Sequence, residues 1–347
     1  MDFQDFKKKY QKLKPHEYSN SVPSEPLVSI CVQTYQHVSY IKDCLEGVLK
    51  QKTNFPFEIL VGEDDSTDGT RDICVEYAER YPDKIRLFLH HRQNNIYING
   101  RPTGRFNFIY NMSSARGKFI AFCEGDDYWV DPLKLQKQVD CLENNEDLVL
   151  NFHEAKIINN NETIQDCYVN PSLRGVLNNR RLKEGPYILP LTLCFRNVIK
   201  DFPEEFFKVL NGDVFLLSML GNFGKGYFIS DLGKACYRHH GSGMWSSQSE
   251  IKKLVNQLTT YYWLKVFYDK KGDTLMAQYF YDKYYSRSFY FMEHLFSFNQ
   301  DLQVSNRFFL DKHYMMSFWY TLYKGTKKAT GKGHFFRRKF LNSLSKV

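Results

Sequence analysis

The sequence predicts an α/β protein: a doubly wound, mainly parallel sheet with helices on both faces, followed by a helical C-terminal extension. Three observations carry this expectation. Apolar runs of strand length recur at 27–33, 57–61, 85–89 and 119–123. Stretches with apolar residues at helical spacing lie between them. The runs are near-continuous rather than alternating, as in a parallel sheet covered on both faces.

Taken in order, residues 1–25 read as a polar lead-in. A strand then covers Leu27 to Gln33, and Ile41, Leu45, Val48 and Leu49 mark a helix. Phe57 to Val61 is the second strand. Asp68-Gly69-Thr70 opens a helix that turns Ile73 and Tyr77 inward. Ile85 to Leu89 is the third strand. A polar loop, 90–104, precedes a short helix ending near Gly117. Phe119 to Cys123 is the fourth strand. Asp131-Pro132 then suits a helix start, Asp as cap and Pro at the first position. Leu135, Val139 and Leu142 form its apolar stripe. From 148 short strands (Leu148 to Phe152, Tyr227 to Ser230, Ala235 to His239) mix with Asn-rich loops and a helix after Asp213. The expected division is a lead-in 1–25, a main domain 26–249, and a helical, basic, aromatic-rich region 250–347.

The chain has 347 residues, 43% of them hydrophobic, enough for a sizeable core. Its formal charge of +8 is uneven: residues 250–347 carry +10, from 17 Lys and Arg against 7 Asp and Glu. An acidic membrane surface or a phosphate-bearing partner suits that segment. The eight cysteines include no CxxC and sit largely in apolar runs, so reduced core thiols and a reducing compartment are expected. No apolar stretch spans a bilayer and the N-terminus lacks a signal-peptide core. A cytoplasmic protein is expected, with peripheral contact to the inner face of the cell membrane through 250–347.

Ligands of such sheets bind beyond the carboxyl ends of the strands. Three clusters lie there: Gln33-Thr34-Tyr35, Gly62-Glu63-Asp64-Asp65, and Glu124-Gly125-Asp126-Asp127. Acids packed this densely repel one another, and a divalent cation relieves the repulsion. Hard oxygen ligands suit Mg²⁺ or Mn²⁺, ions that bridge carboxylates to phosphates. The competing reading is a solvated turn before a helix N-terminus, where acids are also favoured. Asp68 fits a helix cap better than a ligand. A ring such as Tyr35 can stack on a base, so the clusters together suggest a nucleotide site.

The segments VSICVQTY, FEILVGEDDSTDGT and GKFIAFCEGDDYWVDPLKLQKQ resemble the family 2 (inverting) glycosyltransferases of GT-A fold, over about 26–245. Glu63 and Glu124 stand where that family usually has Asp. The resemblance implies a nucleotide-diphosphate sugar donor, often a UDP-sugar, with Mn²⁺ or Mg²⁺. The acceptor it implies is a hydroxyl of a glycan or lipid-linked glycan, as in surface polysaccharide synthesis. Tyr35 and Glu63 become the base-binding pair with Thr34 beside them, and Glu124 lies near the ribose. Asp126 becomes the metal ligand, with Asp127 its neighbour and His240 the third ligand by register; His239 is one residue away. Arg105 and Asn107 lie in the segment that closes over the donor, Arg105 toward phosphate. Asp213, ahead of an apolar helical run, becomes the catalytic base. Arg238 reaches phosphate, and Gly241 and Gly243 suggest a closing loop. Thr192 to Arg196 is read as acceptor-side wall. In the tail, Phe336, Phe340 and Leu344 with Arg337 and Arg338 resemble an interfacial segment.

Other classes fit less well. A nucleotidylyltransferase or a dehydrogenase wants glycines after the first strand, where this chain has Gln33 to His37. The acidic strand ends oppose nucleic acid, so no nucleic-acid partner is expected. A non-catalytic sugar-nucleotide-binding relative would lose the base, and Asp213 is present.

Overall fold

The computed structural model describes residues 1–98, 100–159, 162–241 and 248–297, without the side chains of 289 and 291–297. The segment 242–247 and the aromatic-basic stretch near Phe336 lie outside the described residues. So the expected closing loop and interfacial segment are not placed. The chain divides into two compact units, Met1–Tyr284 and Tyr285–Val347.

The first unit is built on a nine-stranded sheet. Its strands are β1 (His16–Glu17), β2 (Val28–Thr34), β3 (Phe57–Glu63), β4 (Ile85–Leu89), β5 (Phe119–Phe122), β6 (Leu148–His153), β7 (Val176–Leu177), β8 (Cys194–Arg196) and β9 (Lys225–Ile229). Their order is β1-β4-β3-β2-β5-β8-β6-β9-β7. Strands β4, β3, β2 and β5 run parallel, as do β6 and β9. Strand β8 runs antiparallel between β5 and β6, and the edge strands β1 and β7 are antiparallel too. The expected doubly wound, mainly parallel sheet is therefore present. Its inner strands are buried on both faces, with one apolar cluster on each side.

The chain steps outward from β2 through β3 to β4, then returns to the other flank of β2 as β5. That reversal makes a crevice at the strand ends. Register places Thr34 level with Glu63, and Cys31 level with Phe122. The three acidic and polar clusters therefore share one rim.

Four expectations are corrected. The lead-in is not a loose polar arm: helix Phe3–Tyr10 buries Phe6 against Phe106 and Phe207, and β1 extends the sheet beside β4. Residue 250 is not a boundary of the compact unit. Helix Glu250–Lys270 packs Phe267 on Phe215, and the Tyr268 hydroxyl meets Ser218 Oγ at 2.8 Å. Thr192 to Arg196 is not a wall but the turn and central strand β8; Phe195 is fully buried. Finally, Asp131 does not cap the next helix, which starts at Lys134. Asp131 instead accepts from the Leu133 and Gly233 N–H groups, tying two loops together.

A second, three-stranded sheet joins Glu162–Gln165, Ala155–Asn159 and Ala235–Arg238. It is tied to the acidic loop after β5 by a backbone bridge between Tyr128 and Cys236, with bonds of 3.2 and 2.9 Å. All eight cysteines are free thiols; Cys167 is exposed, Cys141 half-buried, and the others buried. Among the described residues no helix is long and apolar enough to cross a membrane.

Candidate active site

Asp126 is the centre of the rim. Its Oδ2 lies 3.0 Å from His240 Nε2 and 3.8 Å from His37 Nε2. His239 is exposed, whereas His240 lies against Asp126. Gly125 lets the loop approach β2 closely. A Cβ there would lie 2.6 Å from Thr34 Oγ1 and 3.0 Å from His37 Nδ1. Thr34 is buried and its hydroxyl meets His37 Nδ1 at 3.2 Å. His37 was not singled out in the sequence; its spacing of three from Thr34 is the only hint.

Burial raises the Asp126 carboxyl, but its hydrogen bond with His240 and the two imidazoles win and hold it below the ordinary value. The neighbouring acids go the other way. Burial, then the charges of Asp126 and Asp213, push Glu124 up to about 8. Glu124 Oε2 is buried and has no hydrogen-bond partner among the described residues. Such an unpartnered buried oxygen fits a place where a ligand donor belongs. One carboxylate and one imidazole in contact are a donor set suited to Mn²⁺, and to Mg²⁺ with more oxygen from elsewhere. Among the described residues no three His, Cys, Asp or Glu side chains form a complete cage. The remaining ligands would come from a diphosphate and water.

Several expected site residues have other partners. Asp127 is buried and accepts from the Arg238 N–H at 2.8 Å, so it ties the two sheets together. Burial, Asp126 and Glu124 push its carboxyl well up. Arg238 is buried as well. Its Nη1 donates to the Asp126 carbonyl (2.9 Å) and its Nη2 to Asp43 (2.8 Å), so it braces the loop instead of reaching for phosphate. Asn107 donates to the Gly62 carbonyl at 2.7 Å and is buried against β3. Arg105 donates from Nη2 to the carbonyls of Val209 (2.7 Å) and Leu210 (3.3 Å), and its guanidinium lies over Phe206. Burial lowers its pKa to about 10 despite Asp213 nearby. It anchors the turn leading to the base candidate.

Glu63 is fully buried. Its Oε1 accepts from the Ser66 N–H and its Oε2 pairs with Arg71, so it pins the turn after β3. The carboxylate on the Tyr35 side is Asp64, which the sequence placed in the acidic cluster without singling it out. Arg92 bonds Asp64 Oδ2 at 2.7 Å and covers one face of the Tyr35 ring at 3.9 Å. Burial raises Asp64 to about 6 even with Arg92 beside it. Tyr35 is 38% exposed, so much of its ring surface remains open.

Asp213 sits in the first turn of helix Gly212–Leu220. Burial raises its carboxyl, against the opposing pull of the Val214 N–H and Arg105. Its charge adds a small upward push to the Glu124 carboxyl.

Comparison with known proteins follows this geometry. The profile described as Glycosyl transferase family 2 matches residues 29–201. An uncharacterised protein of Mycobacterium tuberculosis is 34% identical over 222 residues, covering 63% of this chain and 61% of the relative. The chain therefore spans less than two thirds of that relative. The Escherichia coli UDP-Glc:alpha-D-GlcNAc-diphosphoundecaprenol beta-1,3-glucosyltransferase WfgD is 34% identical over 138 residues, 40% of this chain and 49% of that one. Among solved structures, mannosyltransferase PcManGT from Pyrobaculum calidifontis, in complex with GDP-Man and Mn²⁺, is similar at TM-score 0.50. It is 15% identical, over 97% of this chain and 92% of its own, a likeness of fold.

Proposed function

Because the chain belongs to glycosyl transferase family 2 and has its GT-A fold, we propose that it is an inverting, metal-assisted glycosyltransferase. It moves a sugar from a nucleotide-diphosphate sugar, in the first instance a UDP-sugar, to a hydroxyl of a glycan or lipid-linked glycan in polysaccharide synthesis. The observation that carries this reading is the contact of Asp126 Oδ2 with His240 Nε2 at 3.0 Å. It stands at the strand ends where the order of the sheet reverses, the place where such sheets take their ligands. The name of the Escherichia coli relative, with its UDP-Glc donor and diphosphoundecaprenol acceptor, supports the donor and acceptor classes.

Tyr35 stacks on the base with the face that Arg92 leaves free, beside Thr34. Glu124 accepts from a ribose hydroxyl through its unpartnered oxygen. Asp126 and His240 hold Mn²⁺ or Mg²⁺, which when bound offsets charge on the leaving diphosphate. Asp213 takes the proton from the acceptor hydroxyl, and its raised pKa makes it a stronger base. It works on the sugar face opposite the diphosphate, so configuration inverts.

The test is a panel of nucleotide sugars screened for Mn²⁺-dependent thermal stabilisation, followed by transfer assays. Asp126→Ala is expected to lose both stabilisation and transfer. Asp213→Asn is expected to keep the stabilisation and lose transfer, because its contribution belongs to the transition state. Full transfer by purified Asp213→Asn would remove it as base.

A further inference from the structure

Two imidazoles meet the same oxygen of Asp126 from different parts of the chain. His240 follows the strand Ala235–Arg238, and His37 stands in the turn between β2 and the helix Ile41–Leu49. Their Nε2 atoms lie 3.0 and 3.8 Å from Asp126 Oδ2, and the two rings stand at 90° to each other. Asp127, the acid expected beside the ion, is engaged elsewhere, accepting from the Arg238 N–H. The backbone of His37 is fixed on both sides. Its N–H donates to Thr70 Oγ1 (2.8 Å), and its carbonyl accepts from the N–H groups of Tyr40 and Ile41 (2.8 Å each). Its side chain is 17% exposed, and Nδ1 meets Thr34 Oγ1 at 3.2 Å. A proton on Nδ1, donated to that hydroxyl, leaves the lone pair on Nε2, the atom nearest Asp126. A metal-bound histidine is oriented in this way, its second nitrogen held by a neighbour. The Tyr40 ring lies 4.9 Å from that of His240, so one short turn supports both imidazoles.

We propose that His37 is a second imidazole ligand of the divalent cation, bound through Nε2 beside Asp126 and His240. The inference rests on the glycosyltransferase reading of the crevice, which calls for the ion, and adds a ligand from the end of β2. Two atoms each about 2.1 Å from one ion can be at most about 4.2 Å apart. Both separations at Asp126 Oδ2 fall within that limit. As the side chains stand, no cage is closed among the described residues, so His37 completes its approach by turning its ring toward the ion. Two nitrogens and a carboxylate bias the site toward transition metals, because imidazole suits them whereas Mg²⁺ keeps oxygen and water.

The test counts nitrogens on the ion. The full chain is loaded with Mn²⁺ in the presence of UDP or GDP, and pulsed EPR reads the nitrogen couplings of bound imidazole. The unmodified chain is expected to show two imidazoles, and His37→Ala and His240→Ala one each. Titration of Mn²⁺ is expected to show binding weakened on the order of tenfold or more in His37→Ala. The preference for Co²⁺ over Mg²⁺ falls with it. His37→Gln, which keeps a polar side chain in the turn, gives the same nitrogen count as His37→Ala. A single imidazole on Mn²⁺ in the unmodified chain overturns the inference and leaves the reading beneath it standing. So does a count unchanged in the His37 variants, even where Mn²⁺ binding weakens, because His37 then only supports Asp126. Failure of the unmodified chain to bind Mn²⁺ with either nucleotide overturns both.

Discussion

Arg238 bonds the backbone carbonyl of Asp126 at 2.9 Å, so a basic residue expected at phosphate is engaged in bracing the acidic loop. Its other arm reaches Asp43, on the helix Ile41–Leu49, and its plane lies between Tyr40 and Tyr128. Arg238→Ala is expected to cost about 1–3 kcal/mol, since the Asp126 carbonyl loses its partner. Arg238→Lys recovers little, because an ammonium cannot span both partners. Denaturant unfolding measures the loss. The mark of bracing is that Mn²⁺-dependent nucleotide binding falls with it, and a variant that unfolds normally but binds nucleotide as before would contradict this.

Gly125→Ala pushes a methyl group to 2.6 Å from Thr34 Oγ1. Thr34 is buried and cannot retreat, so the acidic loop must move. A shift of this kind is expected to cost about 1–3 kcal/mol. Transfer should fall about 100-fold, because Asp126 is displaced from its productive position. Thermal unfolding and a transfer assay on the same sample separate the two effects.

Arg105→Ala leaves the Val209 and Leu210 carbonyls without their donor, at a cost of about 2–4 kcal/mol. The turn they belong to leads directly to Asp213. The expected kinetic signature is a fall in kcat with nucleotide affinity kept. A fall in nucleotide affinity with kcat intact would instead place Arg105 at the phosphate.

His90 is fully buried among Phe88, Phe106 and Tyr110, with neither ring nitrogen bonded among the described residues. Burial lowers its pKa from 6.5 to about 3. The unfolded chain therefore binds a proton that the folded one refuses between those values. Stability from this group is full above pH 6.5 and declines as pH falls toward about 3. At pH 5 the decline is about 2 kcal/mol. His90→Phe should remove it, so the variant gains on the unmodified chain at pH 5 and not at pH 8. Urea unfolding at the two values is the check.

The inner strands and the rim were legible because burial on both faces writes itself as apolar runs, and because acids crowd where those runs end. Asp126 stands at the rim that pattern marks, and its contact with His240 joins two segments the family resemblance had singled out. Glu63 and Asp64 were not separable. Adjacent residues at a strand end point to opposite sides, and a shift of one position decides which is buried with Arg71 and which faces Tyr35. The backbone partners of Arg105, Asn107 and Arg238 were not legible for a different reason. A cation or amide near an acidic cluster is compatible with binding phosphate or with capping backbone carbonyls, and only the fold says which carbonyls are within reach. Strand β8 escaped notice because three residues carry no period. His37 had no motif to announce it.

The bridge between Tyr128 and Cys236 also sets an order in time. Residues more than 100 positions apart must meet before the acidic loop is stapled, and such distant contacts form late. A chain still emerging from the ribosome holds β2 to β5 well before Arg238 and His240 exist. The half-made protein therefore presents its cluster of acids without the Arg238 brace and with His37 as the sole imidazole beside Asp126 among the described residues.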